Sequence, residues 1–266
     1  MKKTFVSNKP KISIKYKGKG DLLIFLHGIG GNKDNWNLNF PMLSKYFLCV
    51  AWDTRGYGES EDYKGEFCFN DVINDLLNIY KYFNRKKAHI IGLSMGGQIA
   101  CLFYEKYPEM VRSMILCDTH FGLGNLEQEE IEKFINSRKK PLLDGLEPKD
   151  IALSVSNSLI GNLNNKTAID ELVTSISKLH KESYLKTIDA SMCTFHDHIF
   201  KNIDIPTLII VGEKDKLTPP SMAFKIHKLI KNSKFFVIGE AGHLTNIESP
   251  KIFNNEVLQF LKKTDL

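Results

Sequence analysis

The sequence predicts one α/β domain with a mostly parallel central sheet, helices on both faces and a helical insertion. Its 266 residues suit a single domain of this class carrying one insertion. Short apolar runs alternate with helix-like segments, which is typical of strands joined by crossover helices. The apolar runs are nearly continuous, as in strands that are covered on both faces.

Seven runs rich in apolar and β-branched residues are predicted to be strands. They lie at residues 12–16, 22–26, 47–51, 88–91, 113–117, 207–211 and 234–238. Four amphipathic segments between or after them predict helices, at residues 70–83, 95–107, 221–230 and 250–261. The last helix carries an apolar stripe at helical spacing, which indicates a face packed on the core.

The strand pattern stops between residues 119 and 200. Four helix-like segments replace it, at 127–137, 148–159, 166–179 and 183–192. We therefore expect residues 1–118 and 201–266 to form the core of the fold and residues 119–200 to form a helical cap.

Composition and charge argue against several classes of protein. The chain is 42% hydrophobic and 25% charged, close to the average for globular proteins. No apolar run approaches the roughly 20 residues of a membrane-spanning helix, so no membrane association is expected. The net charge is +5, but the lysines are scattered and not interleaved with aromatic residues, which disfavours nucleic-acid binding.

Two further features favour a cytoplasmic protein. The basic start Met1-Lys2-Lys3 is not followed by the apolar region of a signal peptide. The five cysteines show no paired spacing, as expected in a reducing compartment.

Ser94 is the candidate nucleophile. It lies in Gly92-Leu93-Ser94-Met95-Gly96, after a predicted strand and before a predicted helix. In this context G-x-S-x-G is typical of a strained turn that exposes a reactive serine, with glycines where chains approach closely. An ordinary helix N-cap serine is the alternative. The positive end of the following helix would face a developing oxyanion.

A serine hydroxyl needs a base, and His243 is the candidate among eight histidines. It follows Gly242 on the loop between the last predicted strand and the last helix. Loops at the carboxyl ends of parallel strands form the sites of open α/β sheets. A surface histidine without a catalytic role is the alternative.

The acid that orients the histidine is expected between the serine and the histidine in sequence. Asp215 follows a strongly apolar strand on a short loop and is the first candidate. Asp118, directly after the strand at 113–117, is the second. Either carboxylate would stabilise the imidazolium formed during catalysis.

Two backbone N–H groups are predicted to form an oxyanion hole. One belongs to Met95, the residue after the nucleophile, and the other to Ile29 in the glycine-rich loop after the strand at 22–26. A phosphate-binding loop is disfavoured because no Lys and Ser/Thr follow at Walker spacing.

Taken together, these motifs resemble the α/β-hydrolase superfamily from about residue 12 to residue 261. Within it the chain is most similar to the 3-oxoadipate enol-lactonase group and related carboxylesterases. The closer similarity is carried by Asp53-Thr54-Arg55-Gly56, Gly92-Leu93-Ser94-Met95-Gly96-Gly97 and His243-Leu244-Thr245-Asn246-Ile247-Glu248. The resemblance implies the α/β-hydrolase fold, and it implies that Asp53 and Arg55 belong to a structural loop.

Other residues near the expected site have two interpretations. Trp36, His120 and Phe121 are candidate substrate-binding residues, with ordinary packing as the alternative. His196-Asp197-His198 has the appearance of a metal pair, but no third ligand is evident nearby. We therefore expect neither a metal ion nor an organic cofactor.

The predicted function is a serine hydrolase that cleaves a small-molecule carboxylic ester or lactone through Ser94, His243 and Asp215. Two alternatives keep the same triad, namely C–C bond hydrolysis and perhydrolysis. A third is a ligand-sensing protein that uses the pocket for binding.

Overall fold

A computed structural model describes residues 1–7, 9–122, 126–192 and 197–264. Eight strands form one sheet in the order β1-β2-β4-β3-β5-β6-β7-β8. The first two pairs in that order are antiparallel and the remaining pairs are parallel. The strands are β1 (Lys2–Val6), β2 (Ile12–Lys17), β3 (Leu22–Leu26), β4 (Leu48–Trp52), β5 (Ala88–Leu93), β6 (Val111–Cys117), β7 (Thr207–Gly212) and β8 (Ser233–Ile238).

Helices connect the strands and form an insertion after β6. They are α1 (Phe40–Leu43), α2 (Phe69–Tyr82), α3 (Met95–Lys106), α4 (Gln128–Arg138), α5 (Lys140–Leu143), α6 (Pro148–Leu159), α7 (Lys166–Ser177), α8 (Lys181–Ser191), α9 (Asp197–Lys201), α10 (Pro220–Leu229), α11 (Thr245–Glu248) and α12 (Pro250–Thr264). Short 3₁₀ turns span Lys33–Trp36 and Pro108–Met110.

The predicted fold class is confirmed, and all seven predicted strands are present. One strand, β1, is missing from the prediction. Its sequence, Lys-Lys-Thr-Phe-Val, buries only Val6 and lies at the edge of the sheet against β2. An edge strand that faces solvent has no continuous apolar run.

Both faces of the sheet are covered, which explains the apolar strands. Ile24 and Ile90 belong to the core on one face, under α2, α3 and α10. Leu23 and Ile91 point to the other face, under α1 and α12. Successive residues of a strand therefore enter different cores, so both sets of positions in the central strands are mostly apolar.

Between β6 and β7 the described residues form a helical segment of α4 to α8, which lie inside the predicted cap, and α9, which ends one residue beyond it. The helical segment has its own apolar cluster, which includes Phe134, Val155 and Ile176. Within the described residues, no helix is long and apolar enough to cross a membrane.

The helical segment is joined tightly to the loop that carries His243. The His243 N–H donates to the Leu159 carbonyl at 2.7 Å. The Glu248 carboxylate accepts the N–H groups of Gly161 and Gly242, each at 2.8 Å. A Cβ on Gly161 would lie 2.4 Å from the Gly242 nitrogen, so only glycine permits this approach. The end of α6 and the His243 loop thus form one unit.

Candidate active site

Ser94 occupies a strained turn between β5 and α3. Its φ of 53° and ψ of −117° are unusual for a residue with a side chain. The surroundings hold this conformation, because the Ser94 N–H donates to Cys117 O at 2.8 Å and the Thr119 hydroxyl donates to Ser94 O at 2.7 Å. A Cβ on Gly96 would lie 2.2 Å from Leu26 O. Glycine there lets the turn pack against the end of β3.

His243 is held by Asp215. The His243 Nδ1 lies 2.8 Å from Asp215 Oδ2. The other oxygen, Oδ1, accepts the N–H groups of Leu217 at 2.9 Å and Thr218 at 3.0 Å, and the Thr218 hydroxyl donates to Oδ2 at 2.6 Å. A carboxylate only accepts hydrogen bonds, so Nδ1 carries the proton and Nε2 keeps its lone pair. This is the tautomer that a general base needs.

The two charges of this pair support each other. Burial disfavours the ionised form of Asp215, but the charge of His243 and hydrogen bonds from His243 and Thr218 lower the pKa of the carboxyl below its ordinary 3.8. Burial also disfavours protonated His243, yet the charge and hydrogen bond of Asp215 raise the imidazole pKa above its ordinary 6.5. The pair therefore favours an ionised acid and a histidine that accepts a proton readily.

Asp118, the second candidate acid, does not contact His243 Nδ1. Its Oδ1 accepts the Gly212 N–H at 2.9 Å and its Oδ2 accepts the Thr245 hydroxyl at 2.6 Å. Burial and the neighbouring negative charge of Asp215 raise the Asp118 pKa well above its ordinary range. The structure thus brings Asp215 to the imidazole and holds Asp118 in hydrogen bonds with Gly212 and Thr245.

The two predicted oxyanion donors carry unused N–H groups. Met95 is the first residue of α3, so its N–H has no acceptor within the helix. Ile29 lies on the loop after β3 and lines the cavity above Ser94. In the described chain, neither N–H donates to another protein group.

His27 fixes the loop that carries Ile29. Its Nδ1 lies 2.9 Å from Gly28 O, and its Nε2 accepts the Thr54 N–H at 3.0 Å. Burial lowers the pKa of this histidine. A neutral imidazole with one donor and one acceptor satisfies both contacts.

A cavity lies between Ser94 and the helical segment. Ser94 and His243 line one side and the helices line the other. The lining from the helices is mainly apolar and comprises Phe134, Val155, Leu159, Leu172, Ile176, and the polar Arg138 and Tyr184. Such a cavity suits a small molecule with an apolar body and few polar groups.

His120 lies in this cavity, as predicted for a substrate-binding residue. Its Nδ1 accepts the Gly122 N–H at 3.1 Å and lies 3.3 Å from the Gln98 side-chain nitrogen. Burial lowers the His120 pKa to about 4. The imidazole is therefore neutral, with its proton on Nε2.

Trp36 and Phe121 differ in their placement. Trp36 lines the cavity, where it is placed to contact a substrate, and its ring also packs on Phe25 with centroids 5.1 Å apart. Phe121 is not among the cavity-lining residues. Its ring packs on Phe200, with centroids 4.8 Å apart, and joins the core under α3.

Asp53 and Arg55 lie in a loop where their charges are used for structure, as the resemblance implies. Asp53 forms an ion pair with Lys33 and accepts the Lys33 N–H at 2.7 Å. Arg55 binds both carboxylate oxygens of Asp75, at 2.7 and 3.0 Å.

His196 of the suspected metal pair lies outside the described residues. Among the residues with described positions, no group of three or more potential ligands could hold a metal ion.

Sequence reasoning did not identify Thr218 and Arg138. Thr218 has no motif, because its role depends on hydrogen bonds across a turn. Arg138 is the only arginine between residues 120 and 200. A single arginine in that segment was the one sequence feature that could have indicated a special role for it.

Comparisons with known proteins agree with this architecture. A 28% identical relative, the putative 2-succinyl-6-hydroxy-2,4-cyclohexadiene-1-carboxylate synthase of Bacillus subtilis, covers 91% of this chain and 90% of its own. The 2-hydroxy-6-oxo-6-(2'-aminophenyl)hexa-2,4-dienoic acid hydrolase of Metapseudomonas resinovorans is 27% identical. The alignment covers 92% of this chain and 86% of that hydrolase.

Solved structures show the same fold. The enol-lactonase of Burkholderia xenovorans superposes with a TM-score of 0.85 at 20% identity, over 98% of this chain and 100% of its own. The esterase of Thermogutta terrifontis superposes with a TM-score of 0.87 at 23% identity, over 99% of each chain. The profile of the alpha/beta hydrolase fold family matches residues 21–250, and the chain belongs to this family.

Proposed function

We propose that the protein is a serine hydrolase that cleaves a carboxylic ester or lactone of a small molecule. The observation that carries this proposal is the 2.8 Å contact between His243 and Asp215, made in the cavity that Ser94 lines from its strained turn. A nucleophile, a base of the correct tautomer and an ionised acid are the parts that acyl transfer requires.

In the acylation step, His243 Nε2 accepts the proton of Ser94 Oγ as that oxygen attacks the carbonyl carbon. The carbonyl oxygen becomes an oxyanion and accepts hydrogen bonds from the N–H groups of Ile29 and Met95. The C–O bond of the ester then breaks. The alkoxide leaves with the proton from His243.

In the deacylation step, water takes the place of the alcohol. His243 removes a proton from the water, whose oxygen attacks the acyl-enzyme carbonyl. Collapse of the second oxyanion returns the proton to Ser94 and releases the carboxylic acid. Each step needs only the protein's own groups and water.

A second candidate uses the same residues on a different bond. The 27% identical hydrolase of an oxo-dienoic acid favours a C–C bond hydrolase of this kind. Perhydrolysis and slow turnover by a ligand sensor are the remaining alternatives. Substrate panels and turnover numbers separate all of them.

The test compares Ser94→Ala with wild type on short p-nitrophenyl esters and simple lactones. We expect at least a ~10³-fold loss of kcat, because residual activity would come only from binding and the oxyanion hole. Ser221→Ala, an exposed serine on α10, is the matched control and should keep full activity. A fluorophosphonate probe, mapped by mass spectrometry, should label Ser94.

Three results would overturn the proposal. The first is labelling at a different residue, and the second is full activity of Ser94→Ala. The third is a wild-type enzyme that releases one equivalent of product without further turnover, which would favour the sensor. If Ser94 is labelled but only C–C substrates are cleaved, the ester assignment is wrong and the second candidate replaces it.

A further inference from the structure

Arg138 is the last residue of α4, and its side chain lines the same cavity as Ser94 and His243. The residue is 7% exposed. The chain has only four arginines among 36 basic residues, so an arginine in this cavity stands out against a strong preference for lysine.

The guanidinium of Arg138 has only neutral partners. Its Nη1 donates to Ser137 Oγ at 2.9 Å and its Nη2 donates to Ser158 Oγ at 3.2 Å. Its carbon Cζ lies 4.5 Å from the centre of the Phe134 ring. Throughout the described chain, no carboxylate forms an ion pair with it. Of its five N–H donors, three lack an acceptor among the residues that the structure describes.

Arg55 shows how this protein normally treats a buried arginine. Its guanidinium forms two hydrogen bonds to the Asp75 carboxylate and a third to Asp71. Buried charges are ordinarily paired in this way. Arg138 is equally secluded, but its positive charge faces a cavity instead of an acidic side chain.

We propose that Arg138 binds a carboxylate of the substrate, so that the natural substrate is an ester or lactone that also carries a free carboxylate. This inference rests on the proposed function, because it extends the same cavity. The substrate carbonyl would lie at Ser94 and its carboxylate at Arg138. The apolar side chains between them, such as Val155 and Leu159, would contact the connecting hydrocarbon.

The chemistry of the site favours a carboxylate over a phosphate. The planar guanidinium matches the two oxygens of a carboxylate, and one positive charge compensates one negative charge. No lysine and no second arginine line the described cavity, and burial favours neutral His120. A dianionic phosphate would therefore keep an uncompensated buried charge.

The position of Arg138 also affects the catalytic base. Its positive charge acts on His243 and lowers the pKa of the imidazole, against the larger effect of Asp215. A bound carboxylate would neutralise that influence. Substrate binding at the helical side would thus make His243 a better proton acceptor.

The test uses p-nitrophenyl monoesters of C4 to C8 dicarboxylic acids, each paired with its methyl-capped, uncharged counterpart. Wild type should prefer the free acid at one or more chain lengths by about 10- to 100-fold in kcat/KM, the range for a hydrogen-bonded charge. Arg138→Met should lose that preference, because its rate on the free-acid esters should fall much further than its rate on the capped esters. Arg138→Lys should retain part of it.

Arg112→Met is the matched control, because Arg112 is exposed and pairs with Asp21 outside the cavity. It removes the same charge and should behave as wild type. A binding measurement separates this inference from the proposed function. Calorimetry on Ser94→Ala should detect the C4 to C8 dicarboxylates more tightly than monocarboxylates of equal length, and Arg138→Met added to that variant should abolish the difference.

The inference is wrong if wild type cleaves charged and capped esters equally and binds no dicarboxylate more tightly. It is also wrong if Arg138→Met slows both ester series to the same extent, since that result indicates a structural role. If Arg138→Met does not fold, Arg138→Lys and the wild-type preference decide the question. Failure of the proposed function would instead appear as Ser94-independent hydrolysis.

Discussion

The two sides of the cavity use charge differently. On the side of the sheet, the Asp215 carboxylate behind His243 is paired with that histidine inside the protein. On the helical side, Arg138 contacts two serine hydroxyls and an aromatic ring, and none of the described carboxylates. The difference indicates a division of work. Under our two proposals, the charge on the sheet side serves the reaction, whereas the charge on the helical side binds the ligand.

The largest expected effect tests the pairing on the sheet side. Asp215→Asn should lower kcat by roughly 10⁴-fold, because an amide favours the wrong histidine tautomer. Asp118→Asn should change kcat only a few-fold, because Asp118 bonds to Gly212 and Thr245 and its raised pKa already favours the neutral form. Steady-state kinetics on one ester measures both variants. Equal losses would mean that Asp118 shares the role of the acid.

A smaller effect distinguishes the two buried arginines, Arg55 and Arg138, by their contributions to the free energy of unfolding. Arg55→Met should lower the free energy of unfolding by about 3–5 kcal/mol, because it leaves the buried Asp75 carboxylate without its partner. Arg138→Met should leave the free energy unchanged or raise it, because it removes a buried charge that has no carboxylate partner. Urea denaturation of both variants provides the measurement. A large destabilisation by Arg138→Met would show that its charge is needed for folding.

The smallest effect concerns pH. Activity requires neutral His243, so kcat/KM should rise with pH through a midpoint above 6.5, the ordinary imidazole value from which Asp215 raises it. Arg138→Met should move this midpoint to higher pH, because a positive charge that disfavours protonation is lost. In Asp215→Asn, the midpoint measured on the residual activity should move to lower pH, because the charge that raises the His243 pKa is lost. Profiles that shift in the same direction would contradict the opposed influence of the two residues.

The sequence predicts most of the fold because its parallel strands are buried on both faces. Apolar runs such as Leu22–Leu26 and Thr207–Gly212 carry that burial directly in their composition. β1 buries only Val6 and pairs antiparallel at the edge, so it has no clear alternation of apolar and polar residues. Short elements such as α1 and α11 have only four residues each, too few for a periodic pattern.

The candidate site is predictable where function depends on backbone geometry. Ser94, His243 and Asp215 lie on turns whose glycines and strand boundaries are visible in the sequence, and the structure brings Asp215 and His243 together. Their catalytic roles stay predictions until they are tested. Arg138 is different, because its significance lies in a missing partner. Only packing in three dimensions shows which charges a protein leaves uncompensated.

The clamp between α6 and the His243 loop bears on how a ligand reaches the cavity. Leu159 O holds the His243 N–H, and the Glu248 carboxylate bridges Gly161 and Gly242. Opening the cavity at this seam would break the hydrogen bonds from His243 to Leu159 and from Gly161 to Glu248, and it would displace His243. Traffic of substrate and product is therefore expected on the opposite side. The seam therefore holds the His243 loop in place, so a ligand that enters on another side would leave the pair of Asp215 and His243 undisturbed.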